Sequence, residues 1–304
     1  MQIRIFFLLL LSLFSNAYSE LLNYQFLPSK FNSSSFMKVK ILDAKELVFD
    51  SNIRELSALA FKNTTLYALS DRGYLYHFDL EIIKEKITKV TLKKSFELKN
   101  SKGNSLKKSK TDSEGLYFKG DDLLISFEHK SRVMLYNLNG VAKNKVKIHK
   151  KLRNLKNYKK KNRGLEAVAY SSKYGVITAP EVPLKGEKRE EHTLYTKKNS
   201  YTFRADGSIT ALEFIAEDEL LILERDMSFL SLKAVINLSK VTLSSNRSNG
   251  CKKEILARFD IREGWGVDNF EGLTKLSENK FLMVSDDNAN PFQKTVLVYF
   301  ELLK

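Results

Sequence analysis

Five times along the chain the sequence returns to one short plan, and this repetition constrains the fold more than any other feature. A polar residue is followed by a small one and then by Leu or Val. The five copies are Ser57-Ala58-Leu59, Glu114-Gly115-Leu116, Glu166-Ala167-Val168, Thr210-Ala211-Leu212 and Glu271-Gly272-Leu273. In the first four an aromatic residue comes two positions later: Phe61, Phe118, Tyr170 and Phe214. Each copy leads through a turn into a second apolar run: Leu66–Ser70, Leu123–Phe127, Gly175–Ala179, Leu220–Leu223 and Phe281–Ser285. An acid then follows each run: Asp71, Glu128, Glu181, Glu224 and Asp286. The step from opening residue to closing acid is 14 or 15 residues in every copy, a register that chance does not keep five times.

The runs are short and rich in β-branched, Leu and aromatic residues, with turn-forming residues such as Gly120-Asp121 and Glu278-Asn279 between them. That pattern reads as strand, turn, strand. Val90–Leu98, Val133–Leu138, Thr193–Phe203 and Glu254–Phe259 supply further strand-like stretches. Each repeat then provides roughly four antiparallel strands over about 50 residues, the size of a propeller blade. The expected fold is an all-β β-propeller. Five blades are visible, and Met37–Asp50 together with Thr295–Glu301 would add a sixth or close the ring; six blades are expected. The best helical candidate is the basic stretch near Lys151.

In an antiparallel hairpin the first and last residues lie side by side, about 5 Å apart. The opening residue and the closing acid should therefore be neighbours: Glu114 beside Glu128, Glu166 beside Glu181, Glu271 beside Asp286 or Asp287. Equivalent positions of successive blades ring the central channel, so these carboxylates should gather at one of its mouths. Charges of one sign so close need compensation. A divalent cation, pairing with Arg72, Arg225 or Lys130, or raised pKa values would each provide it. Carboxylates with amide and carbonyl oxygens suit Ca²⁺.

The chain opens with Arg4, an apolar run from Ile5 to Phe14, and Ala17 and Ser19 at signal-peptidase spacing. That run is shorter than the ~20 residues needed to span a bilayer. Residues 1–19 read as a cleaved secretory signal and 20–304 as one propeller domain, exported to the periplasm or secreted. The mature protein should be soluble, monomeric and without stable membrane insertion. Cys251 is the only cysteine, which excludes an internal disulfide and a cysteine-based zinc site. The net charge of +15 favours anionic partners, and Lys143–Arg163 concentrates much of it. No recognised motif accompanies that run, so nucleic acid is not expected as a partner. No G-x-S-x-G elbow, H-E-x-x-H, P-loop, dinucleotide-binding glycine pattern or EF-hand loop is present. Any calcium site must therefore be assembled across blades. Trp265 should pack within a blade.

Near the C-terminus, Asp268-Asn269-Phe270-Glu271-Gly272-Leu273 and the run from Ser285-Asp286-Asp287-Asn288 to Thr295 resemble the phytase-like family described as having esterase-like activity. Ser70-Asp71-Arg72-Gly73, Asp112-Ser113-Glu114-Gly115-Leu116 and Phe127-Glu128-His129 are similar to its internal motifs. The resemblance spans essentially the whole mature chain and implies an exported propeller related to calcium-dependent phytases and lactonases. The basic run after Ala142 and the replacement of the opening acid by Ser57 and Thr210 depart from it. On this footing Glu114, Glu166, Glu271, Asp71 and Asp286 are expected as metal ligands. Glu128, His129 and Asp287 are expected as catalytic groups, and Arg72, Arg225 and Asn288 as contacts to an anionic small-molecule substrate, phosphorylated compounds included. The function expected is metal-assisted esterase or phosphoesterase chemistry; the alternative is a non-catalytic ligand- or partner-binding propeller of the cell envelope.

Overall fold

In the computed structural model, residues 19–49, 53–160, 164–228, 231, 233–243 and 251–304 are described. The secretory-signal reading of the first residues and the last residues of the basic run lie outside them. Three strands precede the first repeat: β1 (Ser19–Asn23), β2 (Ser35–Phe36) and β3 (Val39–Phe49). Blade one is the meander β4 (Leu56–Lys62), β5 (Thr65–Ser70), β6 (Tyr74–Ile83) and β7 (Lys86–Glu97). Blade two comprises β8 (Ser113–Lys119), β9 (Asp122–Phe127), β10 (Arg132–Tyr136) and β11 (Ala142–Val146). Blade three comprises β12 (Leu165–Ser171), β13 (Gly175–Pro180), β14 (Glu191–Tyr195) and β15 (Ser200–Arg204). Blade four comprises β16 (Ser208–Ala216), β17 (Glu219–Ser228), β18 (Lys233–Thr242) and β19 (Lys252–Asp260). The last three strands are β20 (Phe270–Lys275), β21 (Lys280–Ser285) and β22 (Val296–Leu302).

The expected sixth blade does not form. β3 pairs antiparallel with β22, from Val296 opposite Glu46 to Leu302 opposite Val39, and β1 pairs with the outer side of β3. The fifth blade thus runs β20-β21-β22-β3-β1 from the channel outward, with β2 as a short addition to β3. The C-terminal segment carries only three strands of its own, and the N-terminal strand covers the edge it would otherwise expose. The five inner strands β4, β8, β12, β16 and β20 contact one another in sequence, and β20 returns to β4. The number of inner-strand motifs equals the number of blades.

Packing explains the sequence pattern. A hydrophobic cluster fills each of the five blade interfaces. The second strand of a blade is covered on both faces, so β9 reads Leu-Leu-Ile-Ser-Phe and is buried throughout from Leu123. The outer strand β7 meets solvent and is buried only at Ile87 and Val90. Trp265 packs with Phe26, Phe31, Phe36 and Phe259 at the seam between blades four and five. The basic run contributes one helical turn, α1 (Lys150–Arg153), whose first turn is capped by the His149 ring accepting from Lys151 N–H.

Candidate active site at the channel mouth

The opening polar residue of each repeat is not the cross-strand neighbour of the closing acid. It is the extra residue of a β-bulge at the start of the inner strand. Ser113 faces Phe127 and Gly115 faces Ser126, leaving Glu114 without an opposite number. Ser57, Glu166, Thr210 and Glu271 are skipped in the same way. A bulge re-aims the side chain it inserts, and five of them act here at one end of the channel. In four blades the closing acid lies one residue beyond the second strand. It is held there by its own N–H: Asp71 to Glu55 O (3.1 Å), Glu128 to Asp112 O (3.0 Å), Glu181 to Gly164 O (3.1 Å) and Asp286 to Asn269 O (2.9 Å). The correction to the hairpin expectation is therefore local, because both acids still reach the same mouth.

The small residue after each opening position permits this crowding. A Cβ on Gly115 would lie 2.8 Å from Glu166 O, and one on Gly272 would lie 2.7 Å from Val284 Cγ1 and 3.1 Å from the Ala58 backbone. Where the bulge residue is a hydroxyl it ties adjacent blades together: Ser57 Oγ donates to Ser113 O (2.7 Å) and Thr210 Oγ1 to Phe270 O (3.3 Å). Where it is Glu, the carboxylate is left to face its neighbours.

The consequence is an electrostatic cluster. Glu166 and Glu271 are buried, and Glu114 is partly buried. Burial first, then the charges of Glu166, Glu271, Asp112 and Glu128, pushes the Glu114 carboxyl well above its ordinary range. Glu166 is raised well above that range by burial, Glu181 and Glu271, with Arg225 opposing. Burial and Glu271 lift Asp286 to about 9, although the Asn288 N–H (2.7 Å) favours its charged form. Glu128 rises to about 8 through burial and the contact and charge of Asp112, against the Gly164 N–H at 2.9 Å. Asp71 rises to about 7 through burial, Asp112, Glu271 and Asp287, and its Oδ1 is buried without a hydrogen-bond partner among the described residues. Desolvation and like charge act together on these five groups.

The two arginines expected to hold substrate are already engaged. Arg225 bonds through Nη1 to both Glu271 and Asn269 and reaches Glu181 with Nη2 (3.4 Å). Arg72 pairs through Nε with Glu55, not with Asp71. Asp287 is also committed: its Oδ1 accepts from Glu55 N (3.1 Å) and Ala289 N (2.9 Å), and its Oδ2 from Thr295 Oγ1 (3.0 Å). It fastens the 287–294 loop to blade one. Asn288 is exposed at that loop with φ of 48°, and its amide donates to Gln293 Oε1 (3.2 Å).

Glu181 lies at the mouth as expected, and two residues outside the expected set join the cluster: Asp112 and Asn269. Asp112, Glu128 and His129 bring ligand atoms within 4.8 Å of one another, and His129 Nδ1 contacts Asp112 Oδ2. Asn269 donates to Glu271 Oε1 at 2.9 Å. Asp112 and Asn269 share a place in the repeat, two residues before the opening position, where blade one carries Glu55 and blade three Gly164. That offset is the signal by which they could be found. Glu224 departs from its equivalents: it is completely buried, accepts from Asp206 N (2.8 Å) and pairs with Lys253 (2.8 Å).

Below this cluster a polar contact joins inner strands of two non-adjacent blades. Three residues along the inner strands, about 10 Å at strand rise, Tyr117 of blade two hydrogen-bonds Glu213 of blade four. Glu213 also accepts from Lys275 N (3.2 Å), and burial lifts it to about 7. On the open side the mouth widens toward blades three and four into a cavity of about 830 Å³ whose wall includes Glu181, Arg225, Asn269 and Glu271. Among the described residues, Asp112, Glu128 and His129 are the group whose ligand atoms all come within 4.8 Å of one another. Glu114, Glu166, Glu271, Asp71 and Asp286 are linked through their charges, and their oxygens, with the orphaned Asp71 Oδ1, are donor chemistry that suits a hard divalent cation.

Comparison with known proteins bears on this geometry. The family model described as "Phytase-like: Esterase-like activity of phytase" matches residues 51–289, from the first inner strand through the loop beyond Asp286. The chain belongs to the phytase-like family. No curated protein matches it. Among solved structures it is similar to the glutaminyl cyclase of Myxococcus xanthus, at 10% identity and a TM-score of 0.49, covering 88% of this chain and 97% of that one. It is also similar to U3-55K, at 6% identity and a TM-score of 0.46, covering 86% of this chain and 98% of that one. All five inner-strand motifs lie within the matched residues.

Proposed function

We propose that this phytase-like propeller is a cation-assisted hydrolase of ester or phosphoester bonds, acting on an anionic small molecule at the acid-lined mouth. The observation that carries this reading is the crowding of Glu114, Glu166, Glu271, Asp71 and Asp286 around the bulges, with Arg225 as the cation among them. Glu114, Glu166 and Glu271, from blades two, three and five, with Asp71 and Asp286 at the rim, would hold the ion, and Ca²⁺ suits their oxygens. A bound cation supplies Lewis acidity and lowers the pKa of a coordinated water.

The chain's own residues supply the rest. Arg225 neutralises the Glu181–Glu271 side and fixes the direction in which Glu271 points. Glu128, held near 8, retains a proton at neutral pH and sits against Asp112. His129, half-exposed on the other side of Asp112, connects that pair to solvent. Together they form a route for moving a proton at the edge of the cluster, which suits general acid–base work.

The test is hydrolysis of p-nitrophenyl acetate and p-nitrophenyl phosphate by residues 20–304, with calcium and with chelator, for wild type and Glu166→Gln. Turnover that needs the cation and falls at least a hundredfold in Glu166→Gln is expected. Turnover indifferent to both would remove the cation from the account. A non-catalytic binding propeller of the envelope is the second reading, favoured by the partial neutralisation that Arg225 already provides. It predicts cation binding without turnover on any ester. Export, with cleavage near Ser19, belongs to the same proposal, as does a monomeric, membrane-free mature form. The N-terminal mass of the protein recovered outside the cytoplasm tests cleavage.

A further inference from the structure

The cavity beside the acid cluster has a charge character of its own. Lys159, Lys160, Arg189 and Arg204 line it, all exposed, and none has an acidic partner among the described residues. The acids of the same wall are mostly engaged elsewhere. Glu181 and Glu271 meet Arg225, Asp206 pairs with Lys253 at 2.9 Å, and Asp226 pairs with Lys233. Glu190 is the acid of the wall without an ion pair among the described residues. His192 also forms part of the wall, 3% exposed, and its buried Nδ1 has no hydrogen-bond partner among the described residues. A buried polar nitrogen left unmatched costs free energy unless a ligand or water meets it. Burial, Lys253 and Lys159 hold the imidazole neutral, down to about 4, so it offers a neutral nitrogen beside four cations.

We infer that this cavity between blades three and four is an oxyanion subsite, which seats a non-reacting anionic group of the substrate next to the acid-lined centre. The role expected for Arg72 and Arg225 passes to Lys159, Lys160, Arg189 and Arg204, because the first two guanidiniums are spent on Glu55 and on Glu271, Glu181 and Asn269. Guanidiniums bind phosphate and carboxylate through paired N–H donors, and four cations around one concavity of about 830 Å³ suit a group carrying more than one negative charge. The substrate class that follows is an ester with a second, remote phosphate or carboxylate. This inference rests on the proposed reading of the acid cluster as the reacting centre, yet its binding test needs no turnover.

The experiment is titration calorimetry of residues 20–304 with inorganic phosphate and, separately, with citrate, in chelator at low ionic strength. Wild type, Arg189→Glu/Arg204→Glu, Lys159→Glu/Lys160→Glu and Arg72→Ala are compared, with calcium binding measured on each. All four substituted cations are exposed, so unchanged thermal unfolding is expected. Saturable binding that weakens at least tenfold in both double variants, persists in Arg72→Ala and leaves calcium affinity within twofold supports the subsite. Phosphate binding without citrate binding identifies a phosphate site; the reverse identifies a carboxylate site. Binding of neither anion, or binding lost in Arg72→Ala and retained in the double variants, overturns it. Loss of calcium binding in wild type with anion binding intact would overturn the proposed reaction and leave the subsite standing.

Discussion

Replacing Asp71 by Asn should make the cation-free protein more stable, and by an amount that grows with pH. In the folded state Asp71 is held at about 7 against an ordinary 3.8. Between these values the folded state binds more protons than the unfolded one, so stability declines as pH rises. Below the unfolded value both states are protonated and the carboxyl costs nothing. Above the folded value the whole shift, about three units at 1.36 kcal/mol each, is lost, or about 4 kcal/mol at pH 8. At pH 5 only about one unit has been lost, roughly 1.5 kcal/mol. Asn has nearly the same shape and carries no charge, so it escapes both costs. Partial exposure of Asp71 makes these figures upper ones. For a protein of this size each kcal/mol moves Tm by about 2–4 °C. The assay is thermal unfolding in chelator at pH 4, 5 and 8. A gain of several degrees at pH 8 that shrinks at pH 5 and falls to about 1–2 °C at pH 4 is expected. With calcium present the variant should lose its advantage, because a ligand is gone. If Asp71→Asn is less stable than wild type at pH 8 in chelator, the carboxylate is compensated and the repulsion argument fails.

Arg225→Met should destabilise the protein by about 3–5 kcal/mol in urea unfolding at pH 8, the cost of stripping a counter-charge from buried acids, and the loss should be smaller at pH 5. Gly115→Ala should cost about 1–3 kcal/mol through overpacking, since the added Cβ meets the Glu166 backbone and Ser126 Oγ; an unchanged Tm would show that the inner strands are not at closest approach. Glu213→Gln, which can keep the Tyr117 contact, should stabilise by about 3 kcal/mol at pH 8 and by nothing at pH 4, because Glu213 is raised from 4.5 to about 7 and each unit is worth about 1.36 kcal/mol.

The propeller was legible because its strands are buried on both faces and its inner strands repeat a polar–small–aliphatic signature whose spacing needs no alignment to see. The blade count was obscured by β3. An eleven-residue strand ahead of the first motif looks like part of another blade, and only its pairing with Val296–Leu302 shows it completing the fifth. Counting inner-strand motifs alone would have reached five. The acids were legible as a set, but their geometry was not. Hairpin arithmetic treats every residue as paired, whereas the bulges at Glu114, Glu166 and Glu271 add one unpaired residue each, and no local composition announces them. Arg72 and Arg225 were read from chain proximity to the closing acids. Their true partners come from elsewhere: Glu55 precedes the first inner strand, and Glu271 and Asn269 lie in the next blade. The basic residues 159 and 160 appeared only as part of a charged run. Their place on the wall of the cavity depends on how blades three and four meet, which lies beyond the reach of the run itself.

The most direct test of the account is calcium titration of residues 20–304 at pH 7, by calorimetry in two buffers of different ionisation enthalpy. With Asp286 held near 9, and Glu114 and Glu166 well above their ordinary range, the cation must displace protons as it binds. The account predicts saturable binding, at least one proton released per ion, and a rise in folding stability of about 2.7 kcal/mol at a hundredfold excess over Kd. All three should be abolished by Glu166→Gln combined with Glu271→Gln. Calcium binding without proton release, or no binding at all, would contradict it and leave a propeller whose crowded acids are neutralised by protons and Arg225 alone.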